Sequence, residues 1–269
     1  MQIMYTERDH TFVVCAYKES AYLEDAIRSL IRQTVRGRIL VSTSTPNAWI
    51  EHLCDKYGLP LVINEGERSI AKDWNFGYNA AETPLVTIAH QDDIYEPEFL
   101  RRTLDALNGG TGKNIQIVFT DYCELRAGKK ISKNKLLTVK RILLLPLRIK
   151  FLAKIRFVKR RILSFGNPIC CPSVTLVKEN LGVSAFDTQY VNGCDYKTWA
   201  ALANKEGMFL YVPEKLMAHR IHAESATTKN VADGTRKQED LEIMCGFWPK
   251  WVAKQIHRLY VNGEKSNMV

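Results

Sequence analysis

The chain has 269 residues, is 46% hydrophobic and carries a net charge of +9, which is enough material for one large domain or two small ones with a genuine core. No run approaches the ~20 uncharged apolar residues of a membrane span, and the first ten residues lack the apolar region of a secretory signal. Seven cysteines without regular spacing predict reduced thiols in a cytoplasmic compartment and argue against a disulfide framework or a C-x-x-C zinc site.

Residues 11–120 alternate between short apolar runs and amphipathic segments with helical spacing. The runs have the length and continuity of buried parallel strands. The predicted strands span 11–16, 38–42, 61–63, 84–89 and 115–120. The predicted helices span 22–31, 47–57, 69–81 and 97–108. This alternation predicts a doubly wound α/β sheet, whose ligands bind beyond the carboxyl ends of the strands.

The fourth predicted strand ends abruptly in His90-Gln91-Asp92-Asp93. Adjacent carboxylates repel each other, so either a cation offsets their charge or both are solvated. Mg²⁺ and Mn²⁺ prefer oxygen ligands and commonly bind through one or two carboxylates together with substrate phosphates. The pattern therefore predicts either a divalent metal site at this strand end or a solvated turn that caps the helix beginning at Pro97.

The positive charge is concentrated in one segment. Fifteen of the 38 basic residues lie between Glu124 and Glu179, where there is no acid, and the rest of the chain has 23 basic and 29 acidic residues. Apolar residues recur there every three or four positions, at Leu144, Leu147, Phe151, Ile155, Val158 and Ile162. We predict a basic amphipathic helix over 140–162, interrupted near Pro146, with the cations on another face. Those cations include Lys150, Lys154 and Arg161, with Lys140, Arg141, Arg148, Lys159 and Arg160 nearby.

Such a helix suits an anionic membrane surface, where each basic side chain contributes about 1 kcal/mol. The alternative is a helix that packs on the core and leaves a solvated basic face. Nucleic acid is a less suitable partner, because the sequence has no aromatic stacking platform here and no recognised nucleic-acid-binding module.

Four stretches, taken in order, resemble the inverting glycosyltransferases of family 2, which have a GT-A fold. They are TFVVCAYKESAYLEDAIRSLIRQT (11–34), SIAKDWNFGYNAAETPLVTIAHQDDIYEPEFL (69–100), GCDYKTW (193–199) and AHRIHAESAT (218–227). They look like that family's first strand with donor loop and helix, its metal-binding acidic motif, its acidic catalytic segment and its R-x-H-x-x-S closing segment. The resemblance implies a GT-A enzyme of the bacterial surface-polysaccharide type.

The resemblance also implies roles for individual residues. Asp195 is the candidate base for the acceptor hydroxyl, although an acid at the start of a helix also suits a cap. Mn²⁺ or Mg²⁺ would be held by Asp92, with Asp93 in support, and by His222 or His219. The other donor-site candidates are Ala16, Tyr17, Glu19, Ser44, Asn47, Lys72, Asp73, Asn75, Gln91 and Arg220.

Some of these candidates have plainer interpretations, and two features depart from the family pattern. Glu19 also suits an exposed loop, and Asp73 and Asn75 also suit an ordinary polar helix face. His90 stands where the family usually has another acid, and the second strand ends in VSTSTPN, without the acids that commonly hold the base and ribose. The donor nucleotide is therefore open, with a UDP-sugar as the default.

We predict a cytoplasmic, peripheral enzyme at the inner membrane face that moves a sugar from a nucleotide diphosphate to a glycolipid or polysaccharide acceptor. Residues 1–124 would bind the donor, 125–165 would form the basic segment, and 166–269 would form the acceptor and catalytic half. One alternative is a non-catalytic relative that binds nucleotide sugars or membranes, which His90 motivates. The other is a sugar-phosphate nucleotidyltransferase, against which the glycine-free stretch CAYKESAYLED argues.

Overall fold

The computed structural model describes residues 4–110, 114–222 and 235–265. The strands are β1 (His10–Ala16), β2 (Arg38–Thr43), β3 (Leu61–Ile63), β4 (Leu85–His90), β5 (Ile94–Tyr95), β6 (Ile115–Arg126), β7 (Lys129–Ile131), β8 (Val174–Val177) and β9 (Met208–Ile221). The helices are α1 (Leu23–Ile31), α2 (Ala48–Tyr57), α3 (Ile70–Ala80), α4 (Phe99–Asn108), α5 (Lys135–Leu144), α6 (Lys150–Ala153), α7 (Arg156–Leu163), α8 (Cys194–Ala203), α9 (Thr235–Cys245) and α10 (Lys250–Lys265). The elements predicted between residues 11 and 120 are all present, and the last of them, β6, runs on to Arg126.

The strands of these residues form one sheet in the order β3-β2-β1-β4-β8-β6-β9-β5, with β7 paired to β6. The first four are parallel, whereas β8 runs antiparallel to both of its neighbours. The α/β prediction is therefore confirmed, with a mixed sheet. Strands β1 and β4 are buried along almost their whole length, which is why they read as continuous apolar runs.

The long strand β9 brings a distant part of the chain to the acid pair. It pairs in parallel with β6, and the register aligns Glu124 with His219 and Leu125 with Arg220. On its other side it pairs with β5, where Ile94 faces Ala218. Because β5 begins directly after the acid pair, the last residues of β9 lie beside it.

Helix α3 packs unusually close to the sheet at Gly77. A Cβ at this position would lie 2.5 Å from Cγ1 of Val13 in β1 and 3.2 Å from the Ser42 side chain in β2. A side chain there would push the helix away from both strands. This close approach holds α3 against β1 and β2. Asp73 lies in the first turn of this helix.

The basic segment is interrupted near Pro146, as predicted, but it also breaks between Ala153 and Arg156, so no one amphipathic helix runs on to residue 162. Helices α5, α6 and α7 are short, and a 3-10 turn at Leu145–Arg148 with Pro146 in its first turn separates the first two. Pro146 cannot donate the main-chain hydrogen bond that a continuous helix requires. No helix in residues 4–110, 114–222 and 235–265 has both the length and the hydropathy that a bilayer crossing needs.

The break in the helix also redistributes the apolar stripe. Leu144, Leu147 and Ile162 are buried in the core, whereas Phe151 is 62% exposed. Phe157, which lies off the predicted stripe, is 65% exposed. The segment therefore presents aromatic side chains to solvent from α6 and α7 separately.

Lys159, predicted as one of the cations near the basic face, is completely buried. Its Nζ donates to Oε1 of Gln116 at 3.0 Å and to the main-chain oxygens of Lys205 at 2.9 Å and Gly207 at 2.7 Å. Carbonyl oxygens thus replace the water that a buried ammonium loses. The side chain fastens α7 to the turn that follows α8.

Candidate active site

The carboxyl ends of β1, β2 and β4 lie side by side at one edge of the sheet. Ala16, at the end of β1, is paired with Thr43 at the end of β2. Gln91, just after β4, closes this edge: its Oε1 accepts the Tyr17 N–H at 2.9 Å, and its Nε2 donates to the Tyr17 main-chain oxygen at 3.2 Å. The loops that follow the three strands therefore line one crevice.

Asp92 presents a partly exposed carboxylate to the end of β9. Its Oδ2 lies 2.9 Å from Nε2 of His222. Its main-chain oxygen accepts a hydrogen bond from Nε of Arg220 at 2.8 Å. The Arg220 guanidinium in turn lies 4.3 Å from the centroid of the Tyr22 ring. The structure therefore brings together three predicted site residues, Asp92, Arg220 and His222.

Asp93 is fully buried, and its carboxylate is engaged by protein groups. Oδ1 accepts the Arg220 N–H at 2.8 Å and lies 3.0 Å from Nδ1 of His219. Burial by itself would raise the pKa of Asp93, but His219, His90 and this N–H outweigh it and hold the pKa below its usual range. Burial likewise opposes the charge on His219, and Asp93 reverses the effect and raises the pKa of His219. Asp93 is thus an ionised side chain that ties β9 to the acid pair.

A divalent cation fits the donor atoms at this strand end. One ligand atom each of His90, Asp92 and Asp93 lies within 4.8 Å of the others. His90 stacks on Trp74 with ring centroids 5.1 Å apart, and its buried Nε2 has no hydrogen-bond partner. An imidazole and carboxylates form a donor set that Mn²⁺ accepts. Asp93 already accepts hydrogen bonds from protein groups, so Asp92 is the acid whose carboxylate can bind a cation. His222 is the histidine that contacts Asp92.

Asp195 lies in the first turn of α8 with its carboxylate held by two donors. Nδ2 of Asn167 donates to Oδ2 at 2.9 Å, and the Tyr196 N–H donates to Oδ1 at 2.7 Å. Burial raises the pKa of Asp195, against the opposing effects of Arg236, these two donors and His90. A carboxylate with a raised pKa is better suited to remove a proton near neutral pH.

The loop before Asp195 is fixed by a single carboxylate from α9. Glu239 accepts the main-chain N–H groups of Val191 at 2.7 Å, Asn192 at 2.9 Å and Gly193 at 2.7 Å. Glu239 is itself only 9% exposed. It therefore holds the start of α8, and with it Asp195, in one position.

On the nucleotide side, α3 supplies the carboxylate that the end of β2 lacks. Oδ2 of Asp73 accepts the Ser44 hydroxyl at 2.9 Å, and Oδ1 accepts Nδ2 of Asn64 at 2.7 Å. Ser44 follows β2 and Asn64 follows β3, which lie two and three strands from β4, about 10 and 14 Å. Asp73 therefore joins the loops that follow these two strands.

The side chains of several other predicted donor-site residues form contacts within the protein. Asn47 caps α2, because its Oδ1 accepts the N–H groups of Trp49 and Ile50. Asn75 is 8% exposed and exchanges two hydrogen bonds with the Phe186 main chain. Both amides are therefore used in positioning protein segments. Lys72 pairs with Glu67, and Glu19 is exposed in the loop after β1.

Three residues were missed by the sequence interpretation: Asn64, Asn167 and Glu239. Each acts on a side chain or loop that the fold brings to it, and Glu239 contacts main chain 46 to 48 residues away. No local spacing marks such pairs. Ser225, from the predicted R-x-H-x-x-S segment, lies outside the described residues.

Comparisons with known proteins assign this architecture to a family. The profile described as Glycosyl transferase family 2 matches residues 11–181. A search of curated proteins found no match.

Several solved structures share the fold. A mannosyltransferase from Pyrobaculum calidifontis, solved with GDP-mannose and Mn²⁺, is 14% identical with a TM-score of 0.61 and covers 96% of this chain and 70% of its own. Glucosyl-3-phosphoglycerate synthase from Mycobacterium tuberculosis, solved with Mn²⁺ and UDP-glucose, is 18% identical with a TM-score of 0.57, and the coverages are 90% and 80%. TarS 1-349 from S. aureus, solved with UDP-GlcNAc, is 12% identical with a TM-score of 0.60, and the coverages are 96% and 73%.

Proposed function

The chain belongs to glycosyl transferase family 2 and is a glycosyltransferase, and we propose that it moves a sugar with inversion from a nucleotide diphosphate to a lipid-linked or polysaccharide acceptor. The observation that carries this proposal is the arrangement of three carboxylates around one crevice. Asp73 lies at the nucleoside end, Asp92 at the diphosphate end, and Asp195 on the acceptor side. We also propose that residues 1–124 bind the donor and that 166–269 bind the acceptor.

In this proposal each side chain has one chemical task. Asp195 takes the proton from the attacking acceptor hydroxyl, and the raised pKa of its carboxyl favours that transfer. Asp92, with His222 beside it, would hold Mn²⁺ or Mg²⁺, which supplies Lewis-acid neutralisation of the leaving diphosphate. Asp93 and Arg220 hold the strand end that carries Asp92.

The donor nucleotide is the least constrained part of the proposal. Two of the structural neighbours were solved with UDP-sugars and one with GDP-mannose. Asp73 and Asn64 offer hydrogen-bonding groups that either nucleoside can use. A UDP-sugar remains the default donor.

The proposed activity can be tested with a panel of nucleotide sugars in the presence and absence of Mn²⁺. We expect one donor class to raise the melting temperature only with the cation, and we expect the same donor to be hydrolysed slowly to the nucleoside diphosphate. Absence of any cation-dependent shift across UDP-, GDP-, CDP- and ADP-sugars would count against the proposal. Binding without turnover would favour the non-catalytic alternative.

We further propose that the enzyme works as a peripheral protein at the cytoplasmic face of an anionic membrane. The exposed aromatic residues support this, because they occur beside cations: Lys154 lies 4.9 Å from the Phe151 ring centroid, and the Arg161 guanidinium lies 5.3 Å from that of Phe157. Trp251, on α10, is also exposed. Aromatic and basic side chains together suit the bilayer interface.

Replacement of both Phe151 and Phe157 by serine is expected to abolish flotation with vesicles that contain phosphatidylglycerol, because the apolar contact is lost. The matched control replaces Met4 and Val183, which are exposed apolar residues away from the basic segment, and should float like the wild type. Equal flotation of both double variants would contradict the assigned surface.

A further inference from the structure

A pocket of about 330 Å³ lies between α5 and the middle of β9, and the proposed reaction does not use it. Its wall is largely apolar, formed by Ile142 and Leu145, which are 58% and 48% exposed. Lys133 and Lys215 also line it. We call this cavity the α5–β9 pocket.

The charges around this pocket favour an anion. Arg141 also lines it, but its Nε binds Oδ2 of Asp121 at 2.6 Å, so this guanidinium is already neutralised. Lys133 and Lys215 form no ion pair within the described part of the chain, because the neighbouring acids Glu96 and Glu214 pair with other cations. Within the described residues, two ammonium groups without an acidic partner therefore stand at an apolar cavity.

A ligand that satisfies both features must be an anion joined to a hydrocarbon. A free phosphate would pair with the lysines but leave the apolar side chains exposed to water. A plain hydrocarbon would cover the apolar side chains but leave the ammonium groups without an anionic partner. We propose that the α5–β9 pocket binds the phosphate or diphosphate of a membrane lipid, with the first part of its hydrocarbon chain against Ile142 and Leu145.

The pocket is connected to the active site by short contacts. Lys140, also on α5, donates from Nζ to the Tyr122 hydroxyl at 3.0 Å. The Tyr122 ring lies 6.5 Å from the ring of His219, which binds Asp93. Along β9, four residues separate Lys215 from His219, which is about 13 Å of extended chain. A short saccharide attached to a phosphate held in the pocket can span this distance.

This inference rests on the proposed transfer reaction and names the class of acceptor. The lipid phosphate would be the fixed end of the acceptor, and its terminal sugar hydroxyl would be directed towards Asp195. The pocket also lies in the basic segment that carries the proposed membrane-facing aromatic residues, so a ligand can enter it from the bilayer.

The test is calorimetric binding of farnesyl diphosphate to the full chain in EDTA, so that no divalent cation draws the diphosphate to Asp92. We expect saturable binding that the double variant Lys133→Glu, Lys215→Glu weakens about tenfold or more. The control Arg8→Glu, Lys205→Glu makes the same change in charge at exposed positions that do not line the pocket, and it should bind like the wild type.

Further ligands identify the chemistry. Farnesol and inorganic pyrophosphate should each bind more weakly than farnesyl diphosphate, and Ile142→Ser, Leu145→Ser should remove the advantage over pyrophosphate. Dihexanoyl phosphatidic acid distinguishes the lipid source: weaker binding supports a prenyl acceptor in the pocket, and equal binding would contradict the acceptor role and leave a site for phospholipid headgroups. Pyrophosphate binding as tight as that of farnesyl diphosphate, or equal weakening in the control, would overturn the proposal.

The lipid-binding test of the α5–β9 pocket can fail independently of the test of sugar transfer. Cation-dependent donor binding and donor hydrolysis are measured without acceptor, and both should be unchanged in Lys133→Glu, Lys215→Glu. A protein that binds lipid phosphate but no nucleotide sugar would contradict the transfer reaction alone.

Discussion

Replacement of Asp195 by asparagine is expected to lower the rate of sugar transfer by about 10²–10⁴-fold, which is the usual contribution of a general base. The asparagine oxygen can still accept the Tyr196 N–H, so the geometry of α8 is kept. The donor dissociation constant should not change, because Asp195 lies on the acceptor side. Initial rates at saturating donor and acceptor, together with donor titration, check this result.

The sign of the pH effect follows from the direction of the pKa shift. The folded-state pKa of Asp195 is raised above 3.8, so the ionised base is lost at a higher pH than an ordinary aspartate, and kcat/KM should fall on that acidic side. The same direction means that the stability linked to this group is fully present below its unfolded-state pKa and is lost as the pH rises through the folded-state pKa.

Asn167→Ala is the matched variant for this prediction. Its hydrogen bond favours the ionised form of Asp195, so its removal should move the acidic limb of the pH profile to still higher pH while the rate at alkaline pH is largely kept. A rate in Asp195→Asn close to that of the wild type would remove Asp195 from the mechanism.

Substitution of the two neighbouring acids is expected to have opposite consequences. Asp92→Asn should abolish cation-dependent donor binding with little change in melting temperature, because its carboxylate is partly exposed and faces the proposed cation position. Loss of an outer-shell partner typically costs ~10–100-fold in metal affinity, and loss of a direct ligand should cost more. Manganese binding followed by electron paramagnetic resonance, with and without nucleotide, measures the effect.

Asp93→Asn should instead destabilise the fold by about 3–5 kcal/mol, because it removes the charge of a fully buried carboxylate that pairs with His219. Urea unfolding of the two variants provides the comparison. If Asp92→Asn were the destabilised variant and Asp93→Asn the one that lost the cation, the two roles would have to be exchanged.

The predicted α/β pattern between residues 11 and 120 agrees with the structure because its strands are buried on both faces. Full burial demands continuous apolar runs, and such runs are visible in a sequence without any knowledge of their neighbours. The basic segment behaved differently. Its apolar spacing predicted a helix interrupted near Pro146, but the structure has a second break before Arg156, and the carbonyl groups after α8 bind the ammonium of Lys159 in the interior.

The candidate site shows the same difference between features that follow from local sequence and features that follow from tertiary contacts. Position after a strand placed Asp92 and Gln91 at one edge of the sheet, since the carboxyl ends of parallel strands meet there. The contacts of Asp73, Asn47 and Asn75 could not be read in this way, because an acid or amide on a helix serves a cap or a loop contact as well as a ligand.

The acid motif and the position of the basic charge were thus readable from the chain, since each is a local pattern, whereas the order of the strands was not. Only the family resemblance separated Asp92 as the metal ligand from Asp93 in support, because the two residues are identical in type and adjacent. Their environments differ only after β9 pairs with β6 and β5 and brings His219 to one acid and His222 to the other. Contacts across more than a hundred residues thus join the buried Asp93 to His219 and the Arg220 main chain, and the partly exposed Asp92 to His222.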